Sequence, residues 1–155
     1  MTQELRLVLT SYGDPVVREL EAQIQHEYVR RYGGADLTAT EAAEFDSPSG
    51  VFLVGWAGDE AVATGGLRRH DSQVAEVKRM YVVPEHRGRG FARAVLAGLE
   101  RWAVDHGYRQ VLLETGTAQP EAIALYVSSG YQPVDGFGHY RDSPLSRSFS
   151  KSLQP

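Results

Sequence analysis

The stretch Val82-Val83-Pro84-Glu85-His86-Arg87-Gly88-Arg89-Gly90-Phe91-Ala92 decides how this 155-residue chain folds. An apolar, β-rich run stops at Pro84, and a short turn opens directly into an amphipathic helix. On a helical wheel Phe91, Ala92, Val95, Leu96, Leu99, Trp102 and Ala103 share one arc, with Arg93, Ala97, Glu100 and Arg101 on the other. Two glycines let the backbone turn sharply and leave its N–H groups uncovered. The helix N-terminus adds partial positive charge and unpaired donors, and Arg87 and Arg89 bring full charges that suit phosphate oxygens. Together these parts make an anion-binding turn. The plainer alternative is an ordinary glycine turn with two solvated arginines. The pattern G-x-x-x-x-G-K-[ST] is absent, which excludes a P-loop. Gly88-Arg89-Gly90 begins like G-x-G-x-x-G, and Glu114 lies near where a ribose-binding acid would fall. Yet Arg93 holds the third glycine position, and Pro84 to Arg87 separate strand from glycines. A dinucleotide site fits less well.

Working outward, residues 74–83 form the strand that feeds this turn. Before it, residues 51–56 and 61–67 are β-rich runs around Gly58-Asp59 and read as a hairpin. Leu5, Leu7 and Leu9 alternate with other residues, which predicts an opening strand of about seven residues. Asp14-Pro15 is an N-cap followed by proline at the first helical position. Val17, Leu20, Ile24 and Tyr28 continue that helix until Gly33-Gly34 ends it. Residues 33–50 are polar, with one short Ala-rich piece that reads as helical. On the other side Gly107 stops the central helix, and Val111-Leu112-Leu113 reads as a strand buried on both faces. A last helix begins near Gln119-Pro120 and ends at Gly130, and residues 131–134 and 145–153 read as closing strands. The expected fold class is mixed α/β. A largely antiparallel sheet of about six or seven strands is flanked by helices, with one β-α-β crossover in the second half.

With 42% apolar and 23% charged residues, the composition is that of a soluble globular protein. The length suits one domain spanning residues 1–155. A formal charge of −4 disfavours general nucleic-acid binding. The absence of cysteine removes disulfides, thiolate nucleophiles and Cys-type zinc sites together. There is no H-E-x-x-H or other metal spacing, so no metal is expected. The N-terminal residues do not read as a signal peptide, and no apolar run approaches ~18 residues. The expectation is therefore a cytoplasmic protein with no membrane role.

Arg87-Gly88-Arg89-Gly90-Phe91-Ala92 matches the R/Q-x-x-G-x-G/A motif of the GCN5-related N-acetyltransferases (GNAT), and Met80-Tyr81-Val82-Val83-Pro84 resembles the strand before it. Ala122-Ile123-Ala124-Leu125-Tyr126-Val127-Ser128-Ser129-Gly130-Tyr131 is similar to the family's A-x-x-L-Y-x-x-x-G-F/Y helix. The two motifs cover the second half of the chain, and the first half matches in element order. The family's frequent Asn three residues before Ala122 is Gln119 here, so no cofactor contact is carried over to it. The resemblance implies an acetyl-CoA-dependent N-acetyltransferase with a GNAT fold. It implies that amides of Arg87, Gly88, Arg89, Gly90, Phe91 and Ala92 cradle the CoA pyrophosphate. Backbone groups near Met80 and Val82 are then expected to pair with the pantetheine arm like an added strand.

Without cysteine there is no acetyl-Cys route, so direct attack by the amine on the thioester is the simplest path. The amine must lose a proton, the oxyanion needs a fixed N–H donor, and the CoA sulfur leaves more easily with a proton delivered to it. The resemblance implies that Tyr126 delivers this proton; packing in the core is the alternative. Glu76 shares a strand face with Lys78, Met80 and Val82 and stands where many relatives carry a glutamate. It is expected to take the amine's proton through water, or else to pair with Lys78 or Arg79. Glu114 is the second candidate base. His106 lies on the apolar arc of its helix and reads as a core residue, while His86 abuts the glycine turn.

The acceptor site is expected to draw on residues 12–50 and on the turn at 136–140. Asp36, Glu41, Glu44 and Asp46 either attract a cationic amine or form a solvated polar face. Tyr28, Tyr32, Phe45, Phe137 and Tyr140 are candidate aromatic walls. A small-molecule amine is preferred over a protein lysine, because no partner-reading module accompanies the catalytic region. A non-catalytic CoA- or nucleotide-binding regulator and an NAD(P)-linked enzyme remain the alternatives, and the resemblance leaves a homodimer as an expected assembly.

Overall fold

A computed structural model describes residues 4–36 and 42–153. Its elements run β1 (Leu5–Leu9), α1 (Pro15–Tyr32), a 3-10 turn (Ala42–Phe45), β2 (Val51–Ala57), β3 (Glu60–Arg69) and β4 (Val74–Val82). A second 3-10 turn (Pro84–His86) leads into α2 (Phe91–Asp105), β5 (Gln110–Gly116), α3 (Pro120–Ser128), β6 (Gln132–Val134) and β7 (Ser146–Ser152). The expected order of elements is the observed one, although β1 has five residues rather than seven.

Local chemistry accounts for the boundaries. The Asp14 carboxylate accepts the Val16 N–H at 2.9 Å, and Gly33 closes α1 in the left-handed conformation at φ 78°. Pro84 cannot donate to the ladder and ends β4. The strands form one sheet in the order β1-β2-β3-β4-β5-β7-β6. Pairing is antiparallel except between β4 and β5, where α2 makes the crossover. Helix α2 packs over β1 to β4 through Val95, Leu96, Leu99 and Ala103, all buried. On the opposite sheet face, Phe45 and Phe52 close over Gly66, where a methyl group would strike both rings.

Two irregularities interrupt the middle of the sheet. Parallel pairing of β4 with β5 covers only Val74↔Gln110, Ala75↔Val111 and Glu76↔Leu112, after which the strands part. Opposite this opening, the β3–β4 register shifts between Thr64 and Gly66. There Arg79 adopts φ 60°, and its carbonyl accepts the Thr64 hydroxyl at 2.7 Å. A bulge of this kind bends the strand away from its neighbour. Non-glycine residues rarely hold that conformation, so the tertiary partners of Arg79 must sustain it. Glu21 (2.9 Å) and Asp36 (2.8 Å) grip its buried guanidinium. Burial works against the Arg79 charge, but Glu21, Tyr12 and Asp36 outweigh it and hold the group protonated.

The structure revises two readings. His106 is exposed rather than in the core; it stacks on Trp102 with centroids 3.8 Å apart, and its Nδ1 lies 2.8 Å from the Trp102 carbonyl. Asp36 is not a solvated acid, since Arg79 and Lys78 (3.5 Å) both pair with it. Of the other weighed acids, Glu44 pairs with Arg68 at 3.4 Å, Asp46 is exposed, and Glu41 lies outside the described residues.

Candidate active site

Where β4 and β5 part, a cavity of about 620 Å³ opens, walled by Lys78 to Val82 on one side and Leu113 to Gly116 on the other. The turn at 86–93 and helix α3 cover it at one end, while Tyr28, Tyr32 and Tyr140 line the rest.

The glycine turn has the form of an anion cradle. Gly88 and Gly90 hold φ 81° and 80°, and a methyl group built on either would meet open space. Their conformation demands glycine although the room does not. No side chain caps α2, and the amides of Gly88, Arg89 and Gly90 take no protein acceptor among the described residues. A row of donors at a helix N-terminus that is left for a ligand fits a pyrophosphate. Phe91 is buried and anchors the turn, with His86 stacked on it, while Ala92 lines the cavity. Arg89 is exposed.

Arg87 differs from its sequence-based reading. Its guanidinium donates to Glu27 at 2.7 Å and to the Val82 carbonyl at 2.8 Å. Glu27, buried on α1, also meets Arg30 (3.5 Å) and Arg31 (3.8 Å). Arg87 is thus a strut between α1, the end of β4 and the glycine turn. Its bond to Val82 O is one that an added strand must share or displace. The Met80 sulfur lies against Gly65, and the residue also lines the cavity.

Tyr126, on α3, is buried and lines the cavity. Its hydroxyl has no protein hydrogen-bond partner among the described residues, and burial pushes its ionisation well above the ordinary tyrosine value. A tyrosine in that setting stays protonated at neutral pH and has a proton to give. Its ring is held edge-on to Tyr131, whose hydroxyl donates to Glu100 at 2.9 Å.

The two candidate bases are placed differently. Glu76 is buried, accepts the Arg68 Nε–H at 2.9 Å, and does not line the large cavity. It lines a smaller cavity of about 260 Å³ together with Glu114. Glu114 lines both, so it stands where the two meet. Its Oε2 is buried without a partner. Burial raises its carboxyl above the ordinary range, with Ser146 and Lys78 pulling the other way and Glu76 and Asp36 adding to the rise.

Several contacts that frame the cavity escaped the sequence reading, although Tyr32 itself was a candidate wall. Tyr32 donates to Gln119 at 3.2 Å, and a methyl group at Gly116 would overlap its hydroxyl. Arg31 bonds the Ala118 carbonyl at 2.6 Å and Glu121 at 2.9 Å. These contacts tie α1 to the start of α3 across the cavity. Arg93 reaches Ser128 and Ser129 at 2.8 and 3.1 Å and ties α2 to the end of α3. All of them join residues far apart in sequence, where no local pattern betrays them.

The sheet thus parts between its two parallel strands, with uncovered amides at the mouth of the gap and the buried Tyr126 inside it. The acetyltransferase (GNAT) family profile matches residues 21–131, and the chain belongs to that family. An uncharacterised N-acetyltransferase of Bacillus subtilis, YsnE, is 33% identical over 108 residues, covering 68% of this chain and 72% of the relative. An IAA acetyltransferase of Azospirillum brasilense is 42% identical over 78 residues, half of this chain and 51% of the relative. Among solved structures, the acyl-CoA N-acyltransferase of Klebsiella pneumoniae superposes with TM-score 0.82 at 28% identity, covering 97% of this chain and 98% of the other. A GNAT acetyltransferase from Elizabethkingia anophelis with acetyl-CoA bound shares the fold, with TM-score 0.71 at 15% identity and coverage of 96% and 98%. The protein is an acetyl-CoA-dependent N-acetyltransferase. Among the described residues no helix is long and apolar enough to cross a membrane.

Proposed function

We propose that this enzyme transfers the acetyl group directly to the primary amine of a small molecule, with Glu114 as base and Tyr126 as acid. The observation that carries this reading is the position of Glu114. Among the described residues it alone of the weighed carboxylates lines both the cavity under the glycine turn and the smaller one, and its Oε2 is buried without a hydrogen-bond partner.

Acetyl-CoA supplies an activated thioester; the chain supplies alignment and proton transfer. Amides of the turn from Gly88 to Ala92 hold the pyrophosphate, whereas the amide of Arg87 is spent on the Pro84 carbonyl at 3.3 Å. The open edge of β4 around Met80 and Val82 aligns the pantetheine arm. An ammonium with a pKa near ~10.4 must be deprotonated before it attacks. A carboxyl raised by burial is a better match for that task than an ordinary one. A β4 amide in the opening stabilises the oxyanion on the thioester carbonyl. Tyr126 donates its proton to the departing sulfur. Glu76, held by Arg68, contributes negative potential on the acceptor side.

The test is the thermal midpoint of the purified protein with acetyl-CoA, CoA and NAD(H), followed by CoA release against a panel of amines. A ligand present at 100 times its Kd adds about 2.7 kcal/mol. Stabilisation by acetyl-CoA and CoA release with a small amine are expected. A larger shift with NAD(H), or acetylation of protein lysines alone, would overturn the proposal.

A further inference from the structure

We propose that Arg93, with the Ser129 hydroxyl beside it, binds the 3′-phosphate of CoA and makes the enzyme selective for acyl donors that carry it. This rests on the glycine turn holding the pyrophosphate, as proposed above.

Arg93 is the residue that breaks the G-x-G-x-x-G pattern, and it stands on the first turn of α2. It lines the large cavity together with Gly88, Gly90 and Leu125. The three arginines around the turn are used differently. Arg87 is neutralised by Glu27 at 2.7 Å, and Arg89 is exposed and meets the Glu85 carbonyl at 3.5 Å. Arg93 donates to the Ser128 hydroxyl at 2.8 Å and to the Ser129 hydroxyl at 3.1 Å. It has no carboxylate within ion-pair distance among the described residues. Two neutral acceptors therefore orient the guanidinium without cancelling its charge. Ser128 is itself fixed, because its hydroxyl donates to the Leu125 carbonyl at 3.0 Å. With one N–H of each terminal nitrogen spent on a serine, the Nε–H and the second hydrogens of the fork stay available. The Ser129 hydroxyl accepts from Arg93, and its own proton has no protein acceptor among the described residues. A phosphate monoester takes such a set of donors and supplies the missing negative charge.

Position agrees with the chemistry of CoA. Arg93 stands less than one helical turn past Gly90, about 4.5 Å along the axis. In CoA a single ribose separates the pyrophosphate from the 3′-phosphate. A pyrophosphate held by the turn therefore brings the second phosphate within an arginine's length of the start of α2. The plain alternative is that Arg93 only fastens α2 to α3. That role needs the serine hydroxyls but no unneutralised charge, and it predicts no preference among donors.

Calorimetry on the whole enzyme compares CoA with dephospho-CoA, which differs only in lacking the 3′-phosphate. CoA is expected to bind about tenfold more tightly. Arg93→Ala is expected to erase that preference by weakening CoA alone. Arg93→Gln, which keeps hydrogen bonding without the charge, should lose most of it, and Arg93→Lys should restore part. The kcat at saturating acetyl-CoA should not change, since the phosphate is remote from the thioester. Gly90→Ala, in contrast, is expected to weaken both ligands alike. Were it to leave both unchanged beside an intact Arg93 effect, the pyrophosphate assignment would fall and the Arg93 site would stand. Equal binding of CoA and dephospho-CoA by the wild type, or an Arg93→Ala variant that keeps the preference, would overturn the inference. So would an Arg93→Ala variant that binds both ligands equally less well, the mark of a fastening role.

Discussion

The two ends of the β4–β5 opening are built from different materials. At the cosubstrate end, Arg93 apart, recognition is assigned to main-chain groups: the amides of Gly88 to Gly90, the start of α2 and the unpaired edge of β4. At the acceptor end it falls to side chains, some of them tied in ion pairs such as Arg68–Glu76 and Arg68–Glu44. A cradle made of amides needs a backbone path, and glycines specify that path locally. A pocket made of side chains needs tertiary partners, so it can be retuned by single substitutions. On the proposed assignment, cosubstrate binding and acceptor choice rest on separable parts of the molecule.

The sharpest way to test that separation is Tyr126→Phe. Removing the proton donor is expected to lower kcat by about 10²- to 10⁴-fold while the KM for acetyl-CoA and the fold are preserved. An unchanged kcat would assign Tyr126 to packing alone. Glu114→Gln comes next, with kcat reduced about 10²-fold, since water can partly stand in for a base. The wild-type rate should fall on acidification with a midpoint above the ordinary carboxylate range, and the variant should lose that limb. The stability sign follows from the same raised pKa. The native state keeps a proton the unfolded chain has lost, so stability drops as pH rises from the unfolded pKa through the folded one. Glu114→Gln is therefore expected to raise the thermal midpoint at neutral pH.

Smaller effects come from the scaffold of the cradle. Gly90→Ala forces a side chain into φ 80°, at about 1 kcal/mol, and should raise the KM for acetyl-CoA several-fold with kcat nearly intact. Glu27→Gln loosens the Arg87 strut. A thermal midpoint lowered by the equivalent of about 1–2 kcal/mol is expected, with a modest rise in the same KM. If either cradle variant altered the ranking of acceptors, the two ends would not be separable.

Most of the cradle end was legible in the sequence because it is local: proline, glycines and the helix after them lie within a dozen residues. The order of elements was legible for the same reason, through caps, turns and periodicity. The sequence reading of Arg87 as a phosphate ligand missed its partner, since Glu27 lies sixty residues earlier and nothing nearby marks the pair. The emphasis on Glu76 over Glu114 came from strand alternation and family likeness. Neither could reveal that Arg68 holds one carboxylate while the other lines two cavities and buries one oxygen without a partner. The left-handed Arg79 was likewise invisible, because partners distant in sequence, Thr64, Glu21 and Asp36 among them, sustain it.

The three residue pairs that join β4 to β5 also have a mechanical consequence. A continuous sheet resists shear through every rung; this one is pinned near one end of the opening and slotted beyond it. Insertion of a pantetheine arm would act as a splint, stiffening the slot by adding rungs along β4. Amide protons of Met80 to Val82 should then exchange with solvent faster in the free enzyme than in its CoA complex. Those of β2, deep between two full partners, should hardly notice the ligand.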